Sequence, residues 1–361
     1  MASLPAQSAG SALPPAVAAA FAKQAEFCRF AGSPLTALVC NAAISALDAS
    51  SATGRTIIAW PGVPFADALM MRFTGGCNAM VRSGAAPALA ALYPPAALPE
   101  VGAMVAALRA VLRDPAKDAE LVSWLAGPPQ TNEVARSGVL MAGLLTIADA
   151  TRLPLRLFEL GTSAGLNLNL DRFGYRLGEV VTGDAASAVQ LAPVWTGPAP
   201  PVADVMVLTR RGVDINPLDV SDAAVCERLM AYVWPDQAER VTRAAAAIAL
   251  AQASPPLIDR ADAADWVENR VGLAAGSTAV VMHSIAWQYF PAETQARIAA
   301  HLAALGARAS AHAPLAWSRY EMDDAATAEL PTLRLTLWQG GAPTERLLAR
   351  AHPHGAFIQW Q

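Results

Sequence analysis

Apolar and polar positions fall into two different rhythms along the chain. Through the first 150 residues the apolar positions of Val17–Ala31, Ser33–Leu47, Val101–Val111 and Ala135–Ala148 recur three and four apart, which predicts helices. Ser33-Pro34 is a helix start with proline at the first helical position, and Asp114-Pro115 marks a break between helices. Only Thr56–Trp60 reads as a short strand in this half, ending at Pro61-Gly62. From about Thr151 the rhythm changes to apolar runs of strand length: Leu155–Glu159, Val205–Thr209, a run opening at Leu257, Ala279–Met282, Pro314–Ser318, Leu333–Trp338 and Ala356–Trp360. Helical patterns at Asp222–Tyr232, Gln237–Gln252 and Thr294–Leu305 separate most of them. Strands alternating with helices predict an α/β fold with a mostly parallel sheet and crossover helices. The last two runs, facing each other across Gly340-Gly341, predict a C-terminal antiparallel hairpin. Two domains are expected, a helical one over 1–150 and an α/β one over 151–361.

Composition supports two buried cores: the chain has 361 residues, of which 54% are hydrophobic and 16% charged. The 26 basic and 30 acidic residues leave a net charge of −4, with no clustered basic stretch, so nucleic acid is not an expected partner. The run Gly84–Leu98 is cut by Pro87, Pro94 and Pro95, and Ala244–Ala253 is too short to cross a bilayer, so no membrane is expected either. The four cysteines, Cys28, Cys40, Cys77 and Cys226, show no C-x-x-C spacing and read as reduced thiols. With no signal-peptide pattern in Met1–Ala20, the expectation is a cytoplasmic protein with a small-molecule substrate and no metal.

Candidate chemistry centres on Glu159-Leu-Gly161-Thr162-Ser163-Ala-Gly165-Leu-Asn167, a turn joining a strand to a helix. Glycine lets the backbone turn tightly and lets a ligand approach, and the helix start offers unpaired N–H groups. Such a turn at the carboxyl edge of a sheet suits a nucleotide-type ligand. The same letters also spell the G-x-S-x-G of a serine-hydrolase elbow at Ser163, with Asp214 and His352 following in order. Against that, the preceding 150 residues read as helical and no histidine precedes residue 283. A Gly-containing turn with no ligand stays open as well.

Further acids follow in strand order. Asp214, in Gly212-Val-Asp214-Ile-Asn216, stands where a second strand would present a carboxylate to ribose hydroxyls. Asp262-Ala263 follows the third strand, where an acid can accept from an adenine amino group, although either aspartate can equally cap a turn or helix. At the fourth strand, His283 and Ser284 meet a loop, and His283 has a pKa suited to proton transfer or an ordinary structural role. Ahead of the first strand, Asn132, Glu133 and Arg136 could cap a helix or contact substrate, Arg136 being suited to a carboxylate or phosphate.

Five segments, Pro129–Arg136, Phe158–Asn167, Gly212–Asp219, Val233–Arg240 and Met282–Ser284, together resemble a bacterial family, domain-of-unknown-function family 2332, regarded as methyltransferase-like. The resemblance covers most of the chain. It implies a Rossmann-like class I methyltransferase sheet with S-adenosylmethionine as cofactor. The turn would hold the methionine part, Asp214 and Asn216 the ribose, Asp262 and Ala263 the adenine, and His283 would serve as general base. Asn132, Glu133, Arg136 and Ser284 would face the substrate, with the helical region as a lid. Gly165 and Asp214 lie 49 positions apart, against about 20 in ordinary dinucleotide-binding folds, which points to an insertion at about 174–204. The Asn/Asp-Pro-Pro-Tyr signature of amino-group methyltransferases is replaced by Met282-His-Ser284. A non-catalytic binder of the cofactor or of its demethylated product is the alternative expectation.

Overall fold

The computed structural model describes residues 13–322 and 330–361, divided into two compact units. The first comprises the chain up to Thr131 together with Cys226–Thr242, and the second the remainder. The division thus falls at residue 131 rather than 150, and a later segment joins the first unit.

The first unit opens with seven helices: α1 (Pro15–Phe30), α2 (Pro34–Ala46), α3 (Ala52–Ile58), α4 (Leu69–Arg82), α5 (Pro87–Ala90), α6 (Val101–Arg113) and α7 (Pro115–Leu125). Ser33 caps α2 by accepting from the Thr36 N–H, and Asp114 ends α6 and caps α7. Their apolar faces close one core around Phe21 and Phe73, whose rings meet edge to face at 6.0 Å. Trp234 from the later segment completes that core. The strand expected at Thr56–Trp60 is instead α3. The β-branched Thr56-Ile57-Ile58 lean toward strand, but Ser51 caps the helix and Asp118 accepts from the Ala52 and Thr53 N–H groups at 2.6 and 2.9 Å.

The second unit opens with α8 (Arg136–Thr151), buried along most of its length. There follow β1 (Leu155–Leu160), a short 3-10 helix over Leu166–Arg172, β2 (Gly174–Leu177), β3 (Val180–Gly183), β4 (Gln190–Leu191), β5 (Val194–Thr196) and β6 (Val207–Asp214). Next come α9 (Ala223–Ala231) and α10 (Ala238–Ala253), of which Cys226–Ala231 and Ala238–Thr242 belong to the first unit, then β7 (Leu257–Arg260), α11 (Ala263–Arg270), β8 (Thr278–Ser284), α12 (Ala292–Gly306), β9 (Leu315–Glu321), β10 (Thr332–Trp338), β11 (Thr344–Ala351) and β12 (Phe357–Trp360).

The main sheet runs β5-β12-β11-β10-β9-β8-β1-β6-β7. From β7 to β9 every pairing is parallel, and β9 to β12 form an antiparallel meander. β8 is buried at every position, as a central parallel strand covered on both faces must be. The expected insertion is a small sheet, β3-β2-β4, followed by β5, which pairs with β12 at the far edge. Across Gly340-Gly341 the hairpin joins β10 to β11, not to β12. The strand β11 escaped the pattern because Thr344-Glu345-Arg346 opens it with three exposed polar residues. The second strand also extends beyond its expected end at Thr209 to Asp214.

Candidate functional site

Strand order reverses between β1 and β8: the chain moves from β1 outward to β6 and β7, then returns to β8 and continues outward to β9. In open α/β sheets the crevice at the carboxyl ends of the strands flanking such a reversal is the preferred ligand site. The residues delivered to that edge are Glu159, next to last in β1, Gly161–Ser163 after that strand, Asp214 ending β6, His283 and Ser284 ending β8, and Glu321 ending β9. Arg136, the first residue of α8, joins them.

The β1 turn is sewn to β6. The Gly161 and Thr162 N–H groups donate to the Val213 carbonyl at 2.9 and 3.1 Å, and the Ser163 N–H donates to Asp214 Oδ2 at 2.8 Å. Asp214 Oδ1 accepts from the Asn216 N–H, and its side chain remains part-exposed. Glu159 is buried and accepts from the Thr162 hydroxyl at 2.5 Å. Burial pushes its carboxyl up to about 7, helped by the neighbouring Asp214 charge and opposed by the Thr162 hydrogen bond and by Arg136. Ser163 adopts φ +55°, and its buried hydroxyl has no hydrogen-bond partner among the described residues. An orphaned polar atom in a left-handed turn of a non-glycine residue is where stored strain and ligand contact coincide.

The glycines answer to protein packing. Gly161 and Gly165 have φ of +66° and +68°. A Cβ on Gly161 would lie 2.7 Å from Ala286 Cβ, and one on Gly165 would lie 2.8 Å from both Ile258 Cδ1 and Pro256 Cγ. The room expected for a ligand against these two positions is therefore taken by side chains. Ala286 and Phe290, in the loop after β8, cover Gly161.

His283 is fully buried with both ring nitrogens engaged. Nδ1 lies 2.7 Å from Glu321 Oε1, and Nε2 is 3.1 Å from Trp317 Nε1. An indole nitrogen only donates, so Nε2 accepts and Nδ1 carries the proton it gives to Glu321. The lone pair needed for the expected general base is already used. The same Glu321 oxygen accepts from the Ala286 and Trp287 N–H groups at 3.0 and 3.3 Å, and the Trp287 ring stacks on His283 at 4.9 Å. His283 and Glu321 thus anchor a loop whose first residue, Ile285, sits at φ +52°, a costly conformation for a β-branched side chain.

Several other expected site residues have structural partners. Asn132 Oδ1 accepts from the Leu166 N–H at 2.8 Å and so caps the 3-10 helix, not α8. Asn167 accepts from the Ser137 hydroxyl and donates to the Glu133 carbonyl, and Glu133 Oε1 accepts from the Ala135 N–H. Asp262 caps α11, accepting from Ala264 and Asp265, and takes the Thr294 hydroxyl; Ala263 is the first residue of that helix. Asn216 accepts from Arg260. Ser284 contributes its carbonyl to Arg136. The structure therefore brings together Glu159, Thr162, Ser163, Asp214, Arg136 and Ser284, while Asp262 and Ala263 lie beyond β7. Glu321, Trp317 and the Ile285–Phe290 loop went unread in the sequence. Glu321 carried the same signal as Glu159, an acid ending an apolar run, but the expected strand stopped three residues early at Ser318.

A family model described as an uncharacterized protein conserved in bacteria, DUF2332, matches residues 18–360. No curated protein and no solved structure matches the chain. No helix of the described residues is long and apolar enough to cross a membrane.

Proposed function

The chain belongs to this uncharacterized bacterial family, and from the geometry of its strand edge we propose an S-adenosylmethionine-dependent methyltransferase acting on a small molecule. One observation carries the reading: four carboxyl groups, Glu133, Glu159, Asp214 and Glu321, gather around Arg136 where the strand order reverses. An acid-rich edge suits a sulfonium nucleoside and repels the pyrophosphate of a dinucleotide. The residues fit such a group: Asp214 is part-exposed with lone pairs left for ribose hydroxyls, and the Ser163 hydroxyl has no hydrogen-bond partner among the described residues.

When bound, the cofactor supplies an electrophilic methyl group on a cationic sulfur. The chain's own contribution is to bind and to align. Asp214 accepts ribose hydroxyls, and Glu159 offers negative charge that a nearby cation draws out by lowering its pKa. In-line transfer asks mainly for alignment and a dry site, so no side-chain base is required. The Ile285–Phe290 loop, anchored by His283 and Glu321, excludes water from the β1 turn. Because Ala286 and Phe290 cover Gly161, ligand entry requires that loop to shift.

Calorimetric titration with S-adenosylmethionine and its demethylated product tests the reading. Both are expected to bind, and Asp214→Ala is expected to weaken them by about ten-fold or more through lost ribose hydrogen bonds. Absence of binding heat in the native protein would sink the proposal. A second reading, a non-catalytic cofactor binder, is favoured by the fully engaged His283. Label transfer from the cofactor into a metabolite extract separates the two. For a hydrolase, Ser163 would need a histidine partner; its hydroxyl has none among the described residues, and a fluorophosphonate probe is expected to leave the protein unlabelled.

A further inference from the structure

Arg136 is held in an unusual way for a partly buried cation. Its Nε donates to the Pro353 carbonyl at 3.0 Å and its Nη1 to the Ser284 carbonyl at 3.2 Å. Two carbonyl dipoles fix the plane of the guanidinium without neutralising it. Among the described residues no carboxylate forms an ion pair with it, and Nη2 donates to no acceptor. Glu133 and Glu321 are within electrostatic reach. Yet Glu133 Oε1 is taken by the Ala135 N–H, and Glu321 Oε1 by His283 and two backbone N–H groups. Burial lowers the Arg136 pKa, the mark of a charge that has lost water without gaining a full counterion. Tyr289, 72% exposed, lies within the same electrostatic neighbourhood, on the loop that covers the β1 turn.

A pre-aimed fork with free N–H groups matches the two oxygens of a planar carboxylate. We propose that Arg136 is the recognition residue for a carboxylate on the methyl acceptor, so that the substrates of this protein are small carboxylic acids. This rests on the methyltransferase reading above. The carbonyls of Ser284 and Pro353 set the orientation, so the acceptor is held beside the end of β8, next to the β1 turn. Neighbouring acids at Glu133 and Glu321 would penalise a ligand of higher negative charge and favour a single carboxylate over a phosphate.

The test uses acetate as the probe and the full chain. The 15Nε resonance of Arg136, identified by its loss in Arg136→Lys, is followed as acetate is added at constant ionic strength against a chloride control. A saturable shift is expected, with inorganic phosphate binding more weakly, and the response persists when S-adenosylhomocysteine is present. No saturable shift, or phosphate binding tighter than acetate, would overturn the carboxylate assignment. Loss of the acetate response on adding S-adenosylhomocysteine would overturn the acceptor assignment, because the product's own carboxylate would then occupy the fork. Calorimetry with the same compound reports on the cofactor reading separately. Acetate bound at Arg136 in a chain that ignores the cofactor product would support the anion site while ending the methyl-transfer reading. Retained dispersion of the remaining spectrum in Arg136→Lys shows that the variant is folded.

Discussion

Glu159 shows how a single residue couples the site to stability. Its carboxyl is pushed up to about 7 from an ordinary value of 4.5, so the native state keeps a proton that the unfolded chain has already released. Its stabilising contribution is complete below pH 4.5 and is lost as pH rises to about 7. The total change is bounded at roughly 3 kcal/mol by the size of the shift. Glu159→Gln should flatten this slope, leaving the variant closer to or above the native protein in stability at pH 8, as read by urea denaturation at pH 5 and pH 8. An unchanged slope would mean that Glu159 is not protonated in the fold. Because a cation beside Glu159 favours its ionised form, cofactor binding should also strengthen from pH 6 to pH 8 and release protons.

At the scale of elements, the β1 turn and the loop after β8 act as one packed unit. Gly161→Ala places a methyl group 2.7 Å from Ala286 Cβ on a backbone at φ +66°. A loss of about 2–4 kcal/mol is expected from strain and overpacking together, measurable by chemical denaturation. Phe290→Ala removes part of the cover over the same glycine. If the loop must shift to admit ligand, this variant should bind S-adenosylhomocysteine more tightly than the native protein even while losing stability. Weaker binding would instead make Phe290 part of the binding surface. Elements also explain where local pattern misled: α3 contains a strand-like triplet but is helical because Ser51 and Asp118 satisfy its first N–H groups.

At the scale of the molecule, the helical unit is not continuous in sequence. Within it, Asn78 donates to the carbonyls of Ala231 and Val233, Asp236 accepts from the Ser33 hydroxyl and the Leu35 N–H, and Trp234 fills the core. A fragment ending at Thr131 lacks the Ala231 and Val233 carbonyls, Asp236 and Trp234. It is expected to unfold without a cooperative transition, whereas the same fragment carrying residues 226–242 through a flexible linker should recover one. A cooperative transition in the shorter fragment would show that Phe21, Phe73 and their neighbours suffice alone. The short segment Val233-Trp-Pro-Asp-Gln thus belongs structurally to a unit that begins two hundred residues earlier.

Periodicity and capping residues by themselves determined the local elements. Three- and four-residue spacing marked α1, α2, α6 and α8; short apolar runs marked β1, β8, β9 and β10; Ser33-Pro34 marked a helix start and Asp114-Pro115 a break between helices. These are near-neighbour effects, carried by backbone hydrogen bonds and by which face of an element is apolar. The acids Glu159 and Asp214 were also legible, because each ends a strand, and parallel strands deliver their carboxyl ends to one edge. Only the tertiary structure decided what those residues meet. That Gly161 faces Ala286, that His283 spends both nitrogens on Glu321 and Trp317, that Asn132 caps a helix beyond its own segment and that Arg136 is held by two backbone carbonyls all depend on residues 34 to 217 positions apart in the chain. Hydrogen bonding and close packing act at a few ångströms, and no spacing in a sequence reveals which distant groups the fold will bring within that range.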